Sequence, residues 1–515
     1  MRIATNVSAI VSNNALQKSQ DRLTKSIARL SSGYKINSSS DDAAGYAISE
    51  KMRLQLRGLN QADNNAADGV SVLHTAEGAM EEIQSMLARM KELSVQAANG
   101  TNSVDERSAI QSEIDSLNSE IDRISSNTEF NSQTLISGNL SRRVYSNYEG
   151  VNQIEVSDNF VAGNYGITIT QDARQAIVVG NGAVTMSDTA TVTKEQAGTI
   201  SMNGYGIEIS EGDTLAGIMG KLVDGADKIG GRVFAITAGA TNDTKVNGTD
   251  YAGYEPQTSY AGNNIVFMTK ESGSSKTMNI TCSNAELANM LGIATAATNS
   301  GMYAEGSDVQ AEFTLDNDGK RVGFADSAVI STSGTRVTVK DVNNRTFVTD
   351  VPSNVAGTQF SDTAKADDKS TATSTQTAKV TQEVTDVGTM SVHVGANENQ
   401  VIDIPAVTSY TLGTENLNVM TSVTASEAID TIDTAVAYAN RVRSQMGAYE
   451  NRFEHTTNNL GTASENLTSA ISTMTDTDMA EEMTEYTSLN VMTQAATSIL
   501  AQANERPSTV LQILQ

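Results

Sequence analysis

The hydrophobic period of this chain changes twice along its 515 residues, from helical to alternating and back, and that order limits what it can fold into. Near the N-terminus apolar residues recur at steps of three and four: Leu16, Leu23, Ile27 and Leu30, then Leu73, Ala76, Met80, Ile83, Leu87 and Met90, then Ile110, Ile114, Leu117, Ile121 and Ile124. The same spacing returns from Ile429 through Ile432, Val436, Ala439, Met446, Tyr449, Phe453, Leu460, Ala463 and Leu467 to Met474. Such stripes pack helix on helix, either as coiled-coil seams or as core faces of an ordinary bundle. The C-terminal stripe runs far longer than a usual globular helix without a Pro, which favours the coiled coil. Between about 141 and 385 the period is two: YGITIT (165–170), TATVTK (189–194), GIEIS (206–210) and TRVTVKDV (335–342) read as half-exposed strands between turn residues. DTLAGIMGKLV (213–223) reads as a short helix behind an Asp-Thr cap, and 361–381 as a Ser/Thr/Ala-rich connection.

Helices from opposite ends of a chain form one stalk only if the chain leaves and returns, which makes the β-rich centre an insertion. Charge agrees with this pairing, because residues 1–40 carry +5 and residues 471–515 carry −5. The expected fold class is α+β multidomain, a long antiparallel coiled-coil stalk from both termini with a β-rich central insertion.

Composition removes most functions. A net charge of −26 repels phosphate backbones, so no nucleic-acid partner is expected. One Cys rules out a disulfide framework and a Cys-based zinc site. Three scattered histidines, His74, His393 and His455, leave little for a metal or a catalytic triad, so no metal, cofactor or enzyme activity is expected. No apolar run approaches the ~20 residues that span a bilayer, and the N-terminus lacks a signal peptide's basic and apolar regions. Cys282 reads as a small hydrophobe. In GYKINSSSDDAAGYA (33–47), Gly33 reads as a helix bend, with Asp41 and Asp42 as caps before the next helix rather than a catalytic pair.

Several long blocks in fixed order resemble bacterial flagellins: LSSGYKINSSSDDAAGYAIS (30–49), MKELSVQAANGTNS (90–103), IQSEIDSLNSEIDRIS (110–125), FNSQTLISG (130–138), AIDTIDTAVAYANRVRSQMGAYENRFEHTTNNL (428–460) and AATSILAQANERPSTVLQILQ (495–515). The resemblance implies a subunit exported unfolded by the flagellar type III system to an extracellular filament. There it would assemble with copies of itself beneath a cap protein and beyond hook–filament junction proteins, with an export chaperone on its C-terminal arm. Residues 1–44 and 471–515 would be inner-tube arms, 45–165 and 386–470 the outer-tube domain with a short β segment near 389–404, and 166–385 the surface insertion. Within that insertion, 198–224 with 231–237 and 263–270 resemble a strand-strand-helix-strand insert repeat. The inner-tube assembly seam would be Leu16, Leu23, Ile27 and Leu30 with Leu489, Met492, Ile499, Leu500, Leu511 and Leu514. The resemblance also implies recognition by Toll-like receptor 5 through Arg89, Leu93 and Glu113, residues that could equally serve filament packing. Ser472-Thr473-Met474 and Asn490-Val491-Met492 depart from the family pattern, removing a positive charge from the arm. A hook–filament junction protein shares the terminal logic and stays open as the alternative.

Overall fold

A computed structural model describes residues 6–513 apart from 158–159, 238–242, 246–258, 294–301, 317, 343–344, 354–358, 362–376, 386 and 396–397. Two compact units emerge, Met1–Val70 with Val392–Gln400 and Asn451–Gln515, and Ser71–Ser391 with Val401–Glu450. Helices α1 (Val7–Ser32), α2 (Ala43–Ala98) and α3 (Val104–Asn127) precede the β-rich centre. Helices α4 (Leu215–Lys228) and α5 (Ala285–Met290) lie within it, and α6 (Ser409–Leu412), α7 (Ser422–Thr475) and α8 (Met479–Ile513) follow. The α+β class with helical ends and a β-rich middle is thus as expected.

In the second unit the helical core follows the sequence stripes with small shifts. Leu73, Ala76, Met80, Ile83, Leu87 and Met90 on α2 are buried, as are Ile110, Ile114 and Ile121 on α3. Leu117 and Ile124 are only half-buried, and their neighbours Asn118 and Ser125 occupy the core positions instead. These two polar side chains are tolerated because each donates to a backbone carbonyl, Asn118 to Thr414 at 2.7 Å and Ser125 to Ile136 at 3.0 Å. On α7 the buried face runs through Ala428, Ile432, Ala435, Ala439, Val442, Met446 and Tyr449, leaving Ile429 and Val436 half-buried. Small residues there let helices approach closely. Helix α3 starts at a full capping box, Ser103 with Glu106.

Among the described residues the β-rich centre has, besides a small cluster of Phe234, Ile236, Val266 and Met268, two large cores. In one, Met302–Glu305, Thr277–Cys282, Gly198–Met202 and Tyr205–Ile209 form an antiparallel sheet in that order, and Gln175–Val179, Asn263–Ser272 and Gly231–Thr237 form another. Both share a core with α4, where Ile218, Met219 and Leu222 are buried against Ile200, Ile207 and Phe267. The expected repeat elements are all present, but the hairpin and the third strand belong to different sheets. The hairpin turns on Asn203 and Gly204, both at positive φ (49° and 87°), a turn that matches strand twist. Cys282 is half-buried and its thiol donates to the Asn284 carbonyl. TATVTK is not a strand: it makes a single bridge at Thr191, because the N–H of Val192 bonds the Asp213 carbonyl in the loop before α4.

The other core lies between the sheet Gln310–Phe313, Gly163–Gln171, Ala378–Val384, Val144–Ser146 and the sheet Val329–Ser333, Arg336–Lys340, Thr346–Asp350, Asn152–Val156. Phe160, Tyr165, Phe324 and Phe347 meet there with ring centroids 5.1–6.3 Å apart, mostly edge to face. Of the expected connection 361–381, residues 362–376 lie outside the described residues, and its last part enters the strand Ala378–Val384. Met390–His393 and Asn399–Ile402 pair as the short β segment expected there.

Phe347 is fully buried at the centre of its aromatic cluster. Phe347→Ala is expected to destabilise this core by about 3–5 kcal/mol. Urea unfolding followed by near-ultraviolet circular dichroism would show an earlier tyrosine transition, while the far-ultraviolet helical signal melts as in the parent.

Candidate assembly surface

In the first unit the two arms run antiparallel. The Asn6 amide donates to the Ala503 carbonyl at 2.9 Å, Arg22 meets Glu485 at 2.9 Å, and Arg29 lies 3.7 Å from Glu482. Helix α1 begins at Asn6, whose side chain accepts from the Ala9 N–H, and α8 begins behind Asp478, which accepts from Ala480 and Glu481. Two of the basic residues of α1 thus face acidic residues of α8, in the sense that the charge asymmetry of the arms leads one to expect.

Only a narrow seam closes between them. On α1 it runs Leu16, Leu23, Ser26, Leu30, in steps of seven, three and four, and on α8 Leu489, Thr493, Ala496, Leu500, Ala503, in alternating steps of four and three. Leu16, Leu489 and Ala503 are buried, while Leu23, Leu30 and Leu500 are half-buried. Ser26 is 2% exposed and its hydroxyl has no partner among the described residues, so a polar group holds the seam position expected of Ile27. Ile27, Met492 and Ile499, expected in the assembly seam, are 48%, 45% and 56% exposed and lie outside this intrachain seam. The reason is geometric, since a single partner helix covers only the a and d positions, and these three stand one position off it. Val7, Ile10, Val11, Met479, Met483 and Val491 are exposed as well. Leu511 falls within α8, but its side chain lies outside the described residues, as does Leu514 entirely.

The bends join the arms. Gly33 ends α1 at φ +77°, and its N–H donates to the Arg29 carbonyl at 2.8 Å. Tyr34 bridges Asp476, with the Lys35 N–H donating to Thr475 and the Thr477 N–H to Gly33. Asp42 caps α2, accepting from the N–H groups of Ala44 and Gly45 at 3.0 Å each. A Cβ at Gly45 would stand 2.6 Å from Asp42 Oδ2 and 2.8 Å from Ile36 Cδ1, so glycine there lets the cap and the Ile36 side chain keep their places. Asp41 instead braces the preceding turn, accepting from the N–H groups of Asn37 and Ser38 and from the Ser38 hydroxyl. The Ser38 hydroxyl and N–H hold its carboxyl below the usual range.

In the second unit Arg89 donates to Glu113 and to Glu92 at 3.0 and 3.2 Å, all three exposed. Leu93 is corrected as a surface residue: at 2% exposure it is part of the helical core, because its side chain lies on the inward stripe with Met90 and Ala97. Where the β-rich lobe meets α7 in the same unit, Arg441 donates to Glu155 at 2.6 Å and the Tyr438 hydroxyl donates to the Ala406 carbonyl at 2.8 Å. Arg336 reaches the carbonyls of Tyr410 and Thr411, and Tyr410 donates to Asp350 at 2.6 Å. These contacts are invisible in sequence, since each pairs residues 60 or more positions apart except the one from Tyr438 to Ala406. As to metal, the ligand atoms of one His/Glu group, His74, Glu77 and Glu450, lie within 4.8 Å of one another among the described residues. No helix among the described residues is long and apolar enough to cross a membrane.

Burial raises the Glu155 carboxyl above its ordinary value, with Arg441 opposing only in part. A carboxyl raised on folding binds a proton in the folded chain that the unfolded chain still lacks, so stability is gained as pH falls from the folded value toward the ordinary one, 4.5. Glu155→Gln removes that proton uptake. The stability of the parent relative to this variant, from urea unfolding at a series of pH values, is expected to rise as pH falls from 7 toward 4.5.

The pattern of the bacterial flagellin N-terminal helical region matches residues 3–141, and that of the C-terminal helical region matches residues 429–514. A flagellin of Clostridium tyrobutyricum is 31% identical over 96% of this chain and 98% of its own length. A flagellin of Salmonella typhimurium is 30% identical over 100% of this chain and 99% of its own. The structure of FliC from Burkholderia pseudomallei matches 75% of this chain and 99% of that one at 15% identity and a TM-score of 0.22, too low to bear on the fold.

Proposed function

Because the chain belongs to the flagellin family and is a structural subunit of the flagellar filament, we propose that its two terminal arms drive that assembly through the apolar residues flanking their seam. One observation carries this reading: Ile27, Met492 and Ile499 stand exposed beside a seam too narrow to cover them. Exposed apolar area of this kind on both arms needs a partner, and further copies of the same chain supply one. Contacts repeated head to tail without closing make an open helical polymer. In this reading 1–44 with 471–515 form the inner tube, 45–165 with 386–470 the outer tube, and 166–385 face solvent.

The arms bury few large side chains between themselves, which fits a chain exported unfolded and ordered fully only on assembly. Export through the flagellar type III system, delivery by a chaperone on the C-terminal arm, and contact with cap and junction proteins outside the cell follow from the family. Arg89 and Glu113, exposed and paired, are our candidates for Toll-like receptor 5, with Leu93 supporting the helix from within. Arg89→Ala should then lower receptor signalling in reporter cells while leaving the circular dichroism spectrum unchanged.

Seeded polymerisation watched by electron microscopy tests the main reading. Intact chain should grow long filaments, and chain lacking 1–40 and 471–515 none. Ile499→Asp and Met492→Asp should abolish growth without altering the unfolding of the second unit, because both side chains are exposed in the single chain. Growth of short stubs only, on foreign filament ends, would point instead to a junction protein.

A further inference from the structure

We propose that His74, Glu77 and Glu450 form a binding site for a divalent transition-metal cation of the zinc class, which clips α2 to α7 within the second unit. His74 and Glu77 are three residues apart on α2, so both side chains rise from one helical face. Glu450 comes from α7, which runs antiparallel to α2 here, as the Arg443–Glu77 and Lys91–Asp433 pairs show. Two independent helices thus deliver one imidazole and two carboxylates to one place.

The spacing fits the ion. Zinc binds imidazole nitrogen at about 2.0–2.1 Å and carboxylate oxygen at about 2.0–2.2 Å, so neighbouring ligand atoms of a tetrahedral site stand about 3.4 Å apart. His74 Nε2 lies 3.4 Å from Glu450 Oε1, and the atoms of all three residues lie within 4.8 Å of one another. Small rotations of exposed side chains close the remaining gap. Arg443 donates to Glu77 Oε1 at 3.1 Å and to Gln84, which fixes the position of the Glu77 carboxylate. Three protein ligands leave a fourth position for water. Calcium and magnesium fit poorly, since they take six or more oxygens, whereas imidazole suits zinc, copper, nickel and cobalt. With 59% of the His74 side chain exposed, the ion has an open path.

The test is calorimetric titration of ZnCl₂ into the full-length chain after chelator treatment, with the visible spectrum of the CoCl₂ complex as a second readout. One zinc per chain is expected, together with the intense visible bands of low-coordinate cobalt. His74→Ala and Glu450→Gln should each weaken binding at least about tenfold. His393→Ala and His455→Ala should leave it unchanged, and the thermal midpoint of the parent should rise with zinc concentration. Both ligand changes are at solvent-reached side chains, and circular dichroism confirms that the variants fold. No binding at millimolar zinc, or binding by His74→Ala equal to the parent's, overturns the proposal and leaves the three side chains as neighbours on facing helices.

Discussion

Everything in this fold depends on helices from the two ends of a 515-residue chain burying one another's apolar stripes. The closure entropy of bringing such distant segments together grows only slowly with the length between them. The chain can therefore carry a large β-rich centre between its paired ends at modest entropic expense. What limits the pairing is the supply of apolar area. In the second unit α2, α3 and α7 bury long stripes, including fully buried Leu73, Met80, Ile83, Leu87 and Met90. Between the arms α1 and α8 the buried set shrinks to a few residues, with Ser26 in a seam position.

That contrast separates two jobs. Among its described residues the second unit has a helical core and two large cores in the β-rich lobes, tied by pairs such as Arg441–Glu155 and Arg336–Tyr410. The arms are held by a thin seam, by the Arg22–Glu485 pair and by the backbone bridge at Tyr34 and Asp476. An exposed ion pair of this kind contributes at most about 1 kcal/mol. A segment so lightly held is suited to rearrangement, and its exposed apolar residues are the ones for which we propose further copies as partners.

The zinc-class site illustrates how far residue type alone falls short. Half of it, a His and a Glu three apart on a long helix, is open to view in the chain. The other half, Glu450, is 373 positions beyond Glu77 and acquires meaning only from the antiparallel register of α2 and α7. The same applies to Asp122, which caps α6 by accepting from Ser409 across 287 positions.

Period and composition by themselves determined the order helix, sheet, helix, the bend at Gly33, the Asp42 cap and most of the buried stripe on α2, because these depend on local geometry and on which residues water expels. They did not decide which neighbour of a stripe turns inward. Ile27 and Ser26 differ by one position, and only the single partner helix α8, covering a and d and no more, places the serine inside and the isoleucine outside. Likewise an alternating pattern made TATVTK a plausible strand, but the loop before α4 took its backbone hydrogen bonds first. Leu93 was legible as apolar and four residues from Arg89, yet it lies three residues after Met90 and four before Ala97, on the stripe that the packed helices bury. Tertiary structure settled these points for one physical reason: burial is a property of the space between elements, and that space exists only once distant parts of the chain have met.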